Sequence, residues 1–286
     1  MNKGFYAFIV FSGGACYGIL STFVKTAYAS GLTLTDVSGL QCLFGTLFLC
    51  LALPAAHRRR LSPFQVLSVA AGGIPIALTT MFYYHSLETL SASLAVVFLF
   101  QSIWMGSAAE CIFFRKKLKK KQILSILFCL SGTILAAGLF EKGESFTFSS
   151  GMIWGLLAAL SYTAVLTSSS LLGKGLSPAV KGALMAGGDT IFTFLVLPPV
   201  FLLDTASWPS LIPYGLLLGL FGVALPPFLF SWGMPHIGPG LGSILAASEL
   251  PVALLMAFMV LGESITGPQW AGIALIGLGI AAGAGD

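Results

Sequence analysis

The sequence predicts an all-α integral membrane protein, in which ten transmembrane helices form two inverted-topology repeats of five helices. Three observations lead to this fold class. Charged residues make up 8 % of the 286 residues, whereas an ordinary soluble domain has about 25 %. The apolar residues are grouped into runs long enough to cross a bilayer, and the two halves of the chain resemble each other weakly.

The shortage of charge determines which solvent the chain needs. A soluble protein of this length requires a polar surface around its core. The 14 Lys and Arg and 10 Asp and Glu cannot supply one when 57 % of the residues are hydrophobic. The composition therefore excludes a soluble enzyme, a nucleic-acid-binding protein and a disordered chain, and we expect the lipid bilayer to surround most of the protein.

The apolar runs predict the helices in order. A transmembrane helix needs about 20 mainly apolar residues, and charges, prolines and polar clusters divide this chain into ten such runs. The predicted spans are 4–28, 33–56, 64–86, 90–114, 122–140, 148–172, 178–203, 210–231, 238–261 and 267–284. They are longer than the strands of about ten residues that build outer-membrane barrels, so we expect helices joined by short connections.

The cations predict the orientation, because Lys and Arg concentrate in short cytoplasmic loops. With both termini in the cytoplasm, twelve of the 14 cations lie inside, and only Lys25 and Lys142 lie outside. The inner cations are Lys3, Arg58, Arg59, Arg60, Arg115, Lys116, Lys117, Lys119, Lys120, Lys121, Lys174 and Lys181. The acids in or beside outer connections are Glu88, Glu141, Glu144, Asp204 and Glu263.

The first span lacks a convincing cleavage site, so we expect it to be retained rather than removed as a signal peptide.

A weak internal repeat divides the chain into residues 1–143 and 144–286. Residues 113–118 align with 260–265 at an offset of 147, and 99–103 align with 247–251 at an offset of 148, which pairs Gln101 with Glu249. Because five is an odd number, the second copy enters the membrane from the opposite side. Inverted repeats of this kind are typical of secondary transporters.

The second half also resembles a known family. Residues 245–252 (LAASELPV), 261–265 (LGESI), Gln269, Gly272 and the Ile-Gly-x-Gly at 276–279 are similar to the end of an EamA domain. Such domains occur twice in ten-helix members of the drug/metabolite transporter superfamily. In the first half, Lys116 replaces the acidic residue of the Leu-Gly-Glu motif, and Gln101-Ser-Ile replaces the Glu-x-Pro element. The resemblance implies a permease of a prokaryotic cytoplasmic membrane, often an exporter of amino acids or related metabolites.

Two carboxyl groups stand out because an ionised side chain near the bilayer centre costs at least about 2.5–3.5 kcal/mol. Glu249 lies in the middle of the ninth span, two residues before Pro251, which leaves a backbone carbonyl one turn earlier without its partner. Asp189 lies in the middle of the seventh span. We expect Glu249 to bind a substrate amine or a proton; the alternative is a protonated carboxyl that joins two helices. Asp189 is a secondary candidate for lining the substrate site, and for it a functional and a structural role are both open.

Other polar and aromatic groups are expected to complete a substrate site at the repeat interface. Gln101 would add a fixed dipole opposite Glu249, while Tyr17, Tyr162 and Trp104 would line the cavity or else pack in the core. Gly72 and Gly73 in the third span and the Pro226-Pro227 pair in the eighth are predicted to bend their helices. Glu110 is expected at the cytoplasmic interface.

Together these observations predict a transporter of a small metabolite, such as an amino acid, that works by alternating access and exports its substrate. Proton coupling through Glu249 and facilitated diffusion are both open, as are a monomer and a homodimer. The alternatives are a sugar or nucleoside permease of the same superfamily and a non-transporting membrane scaffold or receptor. We expect no enzymatic activity, no cofactor and no metal, because the sequence has no nucleophile–base set, phosphate loop or metal-type spacing.

Overall fold

The computed structural model describes residues 3–53, 61–87, 89–90, 92–138, 149–202 and 208–284, which form helices and connecting turns without a strand among them. The helices are α1 (Lys3–Ala29), α2 (Leu34–Ala52), α3 (Pro63–Ala71), α4 (Ile74–Leu87), α5 (Ala92–Leu99), α6 (Ser102–Phe114), α7 (Lys120–Ala136), α8 (Ser150–Leu171), α9 (Pro178–Val196), α10 (Trp208–Leu218), α11 (Leu225–Ala246), α12 (Glu249–Leu261) and α13 (Gly267–Ala284). A π-helical segment, Gly219–Ala224, joins α10 to α11.

The predicted repeat boundary at residue 143 lies outside the described part of the chain. So do several residues used to predict the topology: Arg58, Arg59, Arg60, Glu88, Glu141, Lys142, Glu144 and Asp204.

Among the described residues, eight helical stretches are long and apolar enough to cross a membrane. They are Lys3–Ala29, Leu34–Ala52, Pro63–Ser86, Ala95–Phe114, Ser150–Leu171, Pro178–Val196, Leu211–Ala246 and Gly267–Ala284. The predicted fifth span is shorter, since α7 has 17 residues, and α12 in the predicted ninth span has 13. The length and composition of the helices are those of a multi-pass membrane protein.

The predicted third span consists of two helices, because the chain turns at Gly72 and Gly73 between α3 and α4. A Cβ on Gly73 would collide with the carbonyl of Met185 in α9, so only glycine permits this approach. The predicted bend is therefore confirmed. At Pro226 and Pro227, where a bend was also expected, the helix is irregular: the prolines lie in the first turn of α11, directly after the π-helical segment.

The predicted connection between the eighth and ninth spans, residues 232–237, is wrong, because these residues are helical. Gly238 makes the turn by itself, with φ 83° and ψ 165°, a conformation that favours glycine. Apolar periodicity gives no signal for a turn of one residue, which explains the error.

The contacts with α1 show that the chain reverses at Gly238. Before the turn, α11 runs antiparallel to α1, since Gly13 faces Phe230 while the earlier Val10 faces the later Gly233. After the turn the chain runs parallel to α1. There Gly14 faces Ala246, and Gly18 faces Glu249.

A buried carboxylate lies beside this reversal. Glu110 in α6 is 7 % exposed; its Oε1 lies 2.9 Å from Nζ of Lys116, and its Oε2 accepts a hydrogen bond of 3.4 Å from Gln122. The carboxylate also contacts the position of Gly240, in the first turn after Gly238. Backbone N–H groups in the first turn of a helix favour a negative charge, so we expect Glu110 to stabilise the reversal.

The helix boundaries establish the register between the two halves. α6 and α12 each contain 13 residues, and each ends in a left-handed residue, Arg115 with φ 52° and Gly262 with φ 69°. Because α6 begins at Ser102 and α12 begins at Glu249, these two residues correspond, at an offset of 147. The predicted pairing of Gln101 with Glu249 is therefore wrong by one residue. The alignment matched Gln with Glu because their side chains are similar, whereas the helix starts pair Ser102 with Glu249.

α7 and α13 pack against each other in opposite directions through small residues. Gly132 faces the carbonyl of Gly272, and Gly279 faces the carbonyl of Ser125. At the same offset of 147, Gly132 corresponds to Gly279 and Ser125 to Gly272. The same contact thus occurs twice with the two halves exchanged, and the glycines allow the backbones to approach closely.

Candidate functional site

Glu249 lies at a break between two helices. The chain turns at Ala247 and Ser248 before α12 begins, and Ser248 Oγ donates a hydrogen bond of 2.8 Å to the carbonyl of Phe11 in α1. Gly18, also in α1, leaves room for the carbonyl of Glu249. The first helix therefore holds the interruption in place, and the Glu249 side chain starts α12 in a partly buried position.

An aromatic cluster lies beside the start of α12. Tyr17, Tyr83 and Tyr162 belong to one buried cluster with Leu245 and Ala246, and Tyr17 precedes Gly18, which lies against the carbonyl of Glu249. The rings of Tyr17 and Tyr162 pack edge to face with centroids 6.2 Å apart, and Phe230 lies 6.1 Å from Tyr17. The structure thus brings together three of the predicted site residues, one from each of α1, α8 and α12.

This cluster has unused hydrogen-bonding capacity. Within the described part of the chain, the buried Tyr162 hydroxyl has no hydrogen-bond partner, and no described donor bonds to the Glu249 carboxyl. Unpaired polar groups of this kind are costly in a protein interior. A ligand with a donor for the carboxylate and an apolar or aromatic part for the rings would satisfy both.

Asp189 lies in a second polar cluster, between α9 and α2. It is 2 % exposed and accepts hydrogen bonds from the Cys42 thiol at 3.6 Å and from Thr193 Oγ1 at 3.3 Å. Next to it, Thr46 and Thr190 bond to each other at 2.8 Å. All these donors are neutral, so the described residues provide no cation for the carboxylate.

The Asp189 carboxyl faces a cavity between α2, α4 and α9. Its polar lining comes from Ser38 and Gln41 of α2, Thr80 and Tyr84 of α4, and Thr193 of α9. The Ser38 hydroxyl is buried, and among the described residues it has no partner. Leu34 and Leu197, at the ends of α2 and α9, also line it.

Gln101 and Trp104 pair with each other. Trp104 Nε1 donates a hydrogen bond of 2.9 Å to Gln101 Oε1, and Gln101 Nε2 donates to the carbonyl of Val97 at 3.1 Å. The Trp104 side chain is 44 % exposed. Gln101 closes the turn between α5 and α6, as Ser248 does before α12, and its part in a substrate site stays a prediction.

Sequence reasoning missed several polar residues at these sites. Thr193 lies one helical turn after Asp189, so helical periodicity was a signal for it. Ser38 and Cys42 come from another helix and gave no such signal. Lys181, predicted among the cytoplasmic cations, is 2 % exposed, and its Nζ donates to the carbonyl of Ser169 in α8.

The comparisons with known proteins agree with this architecture. A solved structure described as "Crystal structure of protein" matches with a TM-score of 0.80 and 17 % sequence identity over 98 % of each chain, and this likeness shows the fold. No curated protein sequence matches the chain. The sequence model of the EamA-like transporter family matches twice, at residues 4–138 and 149–282. The chain belongs to the EamA-like transporter family.

Proposed function

We propose that the protein is a secondary transporter that moves a small metabolite, such as an amino acid, out of a prokaryotic cell. The observation that carries the proposal is the position of Glu249 at a helix break beside an aromatic cluster, in which the Tyr162 hydroxyl has no partner among the described residues. A carboxylate at an interrupted helix is suited to a cationic group, since the loosened backbone offers further carbonyl acceptors. The rings of Tyr17 and Phe230 would contact an apolar part of the substrate.

The proposed mechanism is alternating access between two inverted repeats of five passes each. The antiparallel packing of α7 and α13 with its exchanged glycine contacts supports this arrangement. So does the reversal at Gly238, which divides the long stretch Leu211–Ala246 into two passes of opposite direction. With α12 completing the second of these passes, the chain would cross the bilayer ten times.

The proposed orientation has both termini in the cytoplasm of a prokaryotic inner membrane. Lys25 and Glu263, which we placed on the outer side, form an ion pair of 3.1 Å. Glu110 and Lys116, which we placed on the inner side, form another of 2.9 Å. Each pair joins residues assigned to the same side, which supports the assignment.

The proposal is tested by transport into proteoliposomes of the purified protein. Radiolabelled amino acids, sugars and nucleosides are supplied with and without a pH gradient. We expect saturable uptake of an amino acid and an initial rate about 10- to 100-fold lower in Glu249→Gln, because a hydrogen bond to a charged group contributes about 1.5–3 kcal/mol. Glu263→Gln, the same change at an exposed ion pair, serves as the matched control.

The remaining outcomes identify the alternatives. Saturable uptake of sugars or nucleosides, but of no amino acid, identifies a different permease. A complete lack of saturable uptake favours a scaffold or receptor. Full flux in Glu249→Gln removes the central role given to this carboxyl.

A further inference from the structure

The cavity at Asp189 contains a second set of buried polar groups, carried by α2, α4 and α9, and α4 also carries Tyr83 of the Glu249 cluster. Asp189 accepts hydrogen bonds only from neutral groups in the described part of the chain, the Cys42 thiol and the Thr193 hydroxyl. Ser38 lines the same cavity, is 4 % exposed and has no described hydrogen-bond partner. A buried carboxylate and an unused buried hydroxyl therefore face one space.

The charge at this place is that of a single carboxylate. α2 and α9 each have 19 residues and begin with capping hydroxyls at Thr33 and Ser177. In this register the position of Asp189 corresponds to Gly45. Since only one repeat supplies a carboxylate here, one monovalent cation neutralises it.

The lining suits a small hard cation. Carboxylate, hydroxyl and amide oxygens bind such ions, and they are present on Asp189, Thr193, Ser38 and Gln41. Among the described residues no group of three His, Cys, Asp or Glu could hold a metal ion, so a transition metal lacks its ligands. Leu34 and Leu197, at the ends of α2 and α9, complete the lining.

We infer that the Asp189 cavity binds the coupling cation, Na⁺ or H⁺, separately from the substrate at Glu249. This inference rests on the proposed transport function. The cavity lies between α2 and α9, one from each repeat. An ion held there adds a contact between the repeats, and a cation favours whichever conformation it binds better.

The other titratable groups near Asp189 come from three helices. They are Cys42 of α2, Tyr84 of α4 and Tyr17 of α1, whose hydroxyl is within electrostatic range of the carboxyl. All three are neutral when protonated. A proton that binds in this cavity therefore has Asp189 as its acceptor.

The first experiment measures binding of ²²Na⁺ to the purified full-length protein. We expect saturable binding that Asp189→Asn abolishes and that Glu249→Gln retains. Ser38→Ala should weaken the affinity about fivefold, as the loss of about 1 kcal/mol predicts. This smaller change keeps the test valid if Asp189→Asn does not fold. Asp36→Asn, in the capping box of α2, is the matched control with unchanged binding.

The second experiment tests the proton. Infrared spectra are recorded near neutral pH in the Glu249→Gln background, because an ordinary exposed carboxyl group is ionised there. A carboxylic acid band that disappears in the double variant with Asp189→Asn then belongs to Asp189. Such a band in a protein that binds no ²²Na⁺ identifies the cation as H⁺. Binding of ²²Na⁺ that persists in Asp189→Asn overturns the inference, as does the absence of both signals.

Failure of the transport proposal has a different signature. Neither the ²²Na⁺ experiment nor the infrared experiment needs a substrate. A cation site at Asp189 in a protein that transports nothing would contradict the proposed function but not the cation site. In active proteoliposomes, accumulation should follow the gradient of the cation that binds, and Asp189→Asn should remove this dependence. Accumulation that ignores both gradients overturns the coupling role.

Discussion

The hydroxyl oxygens of Thr46 and Thr190 lie 2.8 Å apart, and each threonine is the thirteenth residue of its helix, α2 or α9. Corresponding residues of two repeats touch each other only near the axis that relates the repeats. In the proposed arrangement of two inverted repeats, α2 and α9 therefore meet at this axis. Asp189, the neighbour of Thr190, then lies beside it.

A disulfide tests this contact. Hydroxyl oxygens at 2.8 Å place the two β-carbons within reach of a cross-link, so Thr46→Cys with Thr190→Cys should oxidise to a disulfide in most molecules in native membranes. The five native cysteines, of which Cys42 is adjacent, are replaced first. Mobility on a denaturing gel, before and after reduction, measures the product.

The control pair combines Thr46→Cys with Ile191→Cys. Ile191 follows Thr190 in α9 but is 65 % exposed, so we expect no cross-link. A cross-link in the control alone, or in neither pair, contradicts the central position of this contact.

Gly18→Ala should disrupt the support of the Glu249 break. The added methyl group would collide with the carbonyl of Glu249 and lie 2.8 Å from Cβ of Val252. Overpacking of this kind costs about 1–3 kcal/mol, so thermal unfolding in detergent should shift downwards and transport should fall with it. Gly277→Ala, at a position with nothing within 4 Å, should not lower the stability. Equal effects of the two substitutions would show that α1 does not hold the break.

Glu110→Ala should destabilise the protein more than Lys116→Ala does. The Glu110 side chain is 9 % exposed and that of Lys116 is 59 % exposed. Loss of the buried carboxylate removes the hydrogen-bond acceptor of Gln122 and the negative charge beside the backbone after Gly238. We expect this to lower the free energy of unfolding by about 1–3 kcal/mol. An exposed ion-pair partner contributes about 0–1 kcal/mol. Unfolding temperatures measured side by side check the order, and a larger effect of the lysine contradicts it.

Arg115→Gly should stabilise the fold by about 1 kcal/mol, because a left-handed residue other than glycine carries a steric cost. Arg115 is the non-glycine residue with positive φ among those described, and the second repeat has Gly262 at the corresponding position. Lys117→Gly removes the same charge from the same loop without that relief, so it should give no gain in unfolding temperature. A gain in the lysine variant alone would rule out backbone strain as the cause.

The sequence predicted those features that depend on neighbours along the chain. The break at Gly72 and Gly73 and the embedded carboxyl groups of Asp189 and Glu249 could be read directly, because small or charged residues stand out in apolar runs. The closeness of Ser38 to Asp189 could not, since it depends on how α2 and α9 pack. The pairing of Gln101 with Glu249 was wrong for a related reason. When the similarity between two repeats is weak, the sequence alone does not distinguish an alignment from one shifted by a single residue.

The single-residue turn at Gly238 has a mechanical consequence for the second repeat. Five residues separate α6 from α7 and α12 from α13, so the two helices of each pair can shift relative to each other. The two arms of α11 meet at Gly238, beside the Glu110 carboxylate. Because no loop separates them, we expect the two arms to move together, with bending at the π-helical segment and at the turn before Glu249.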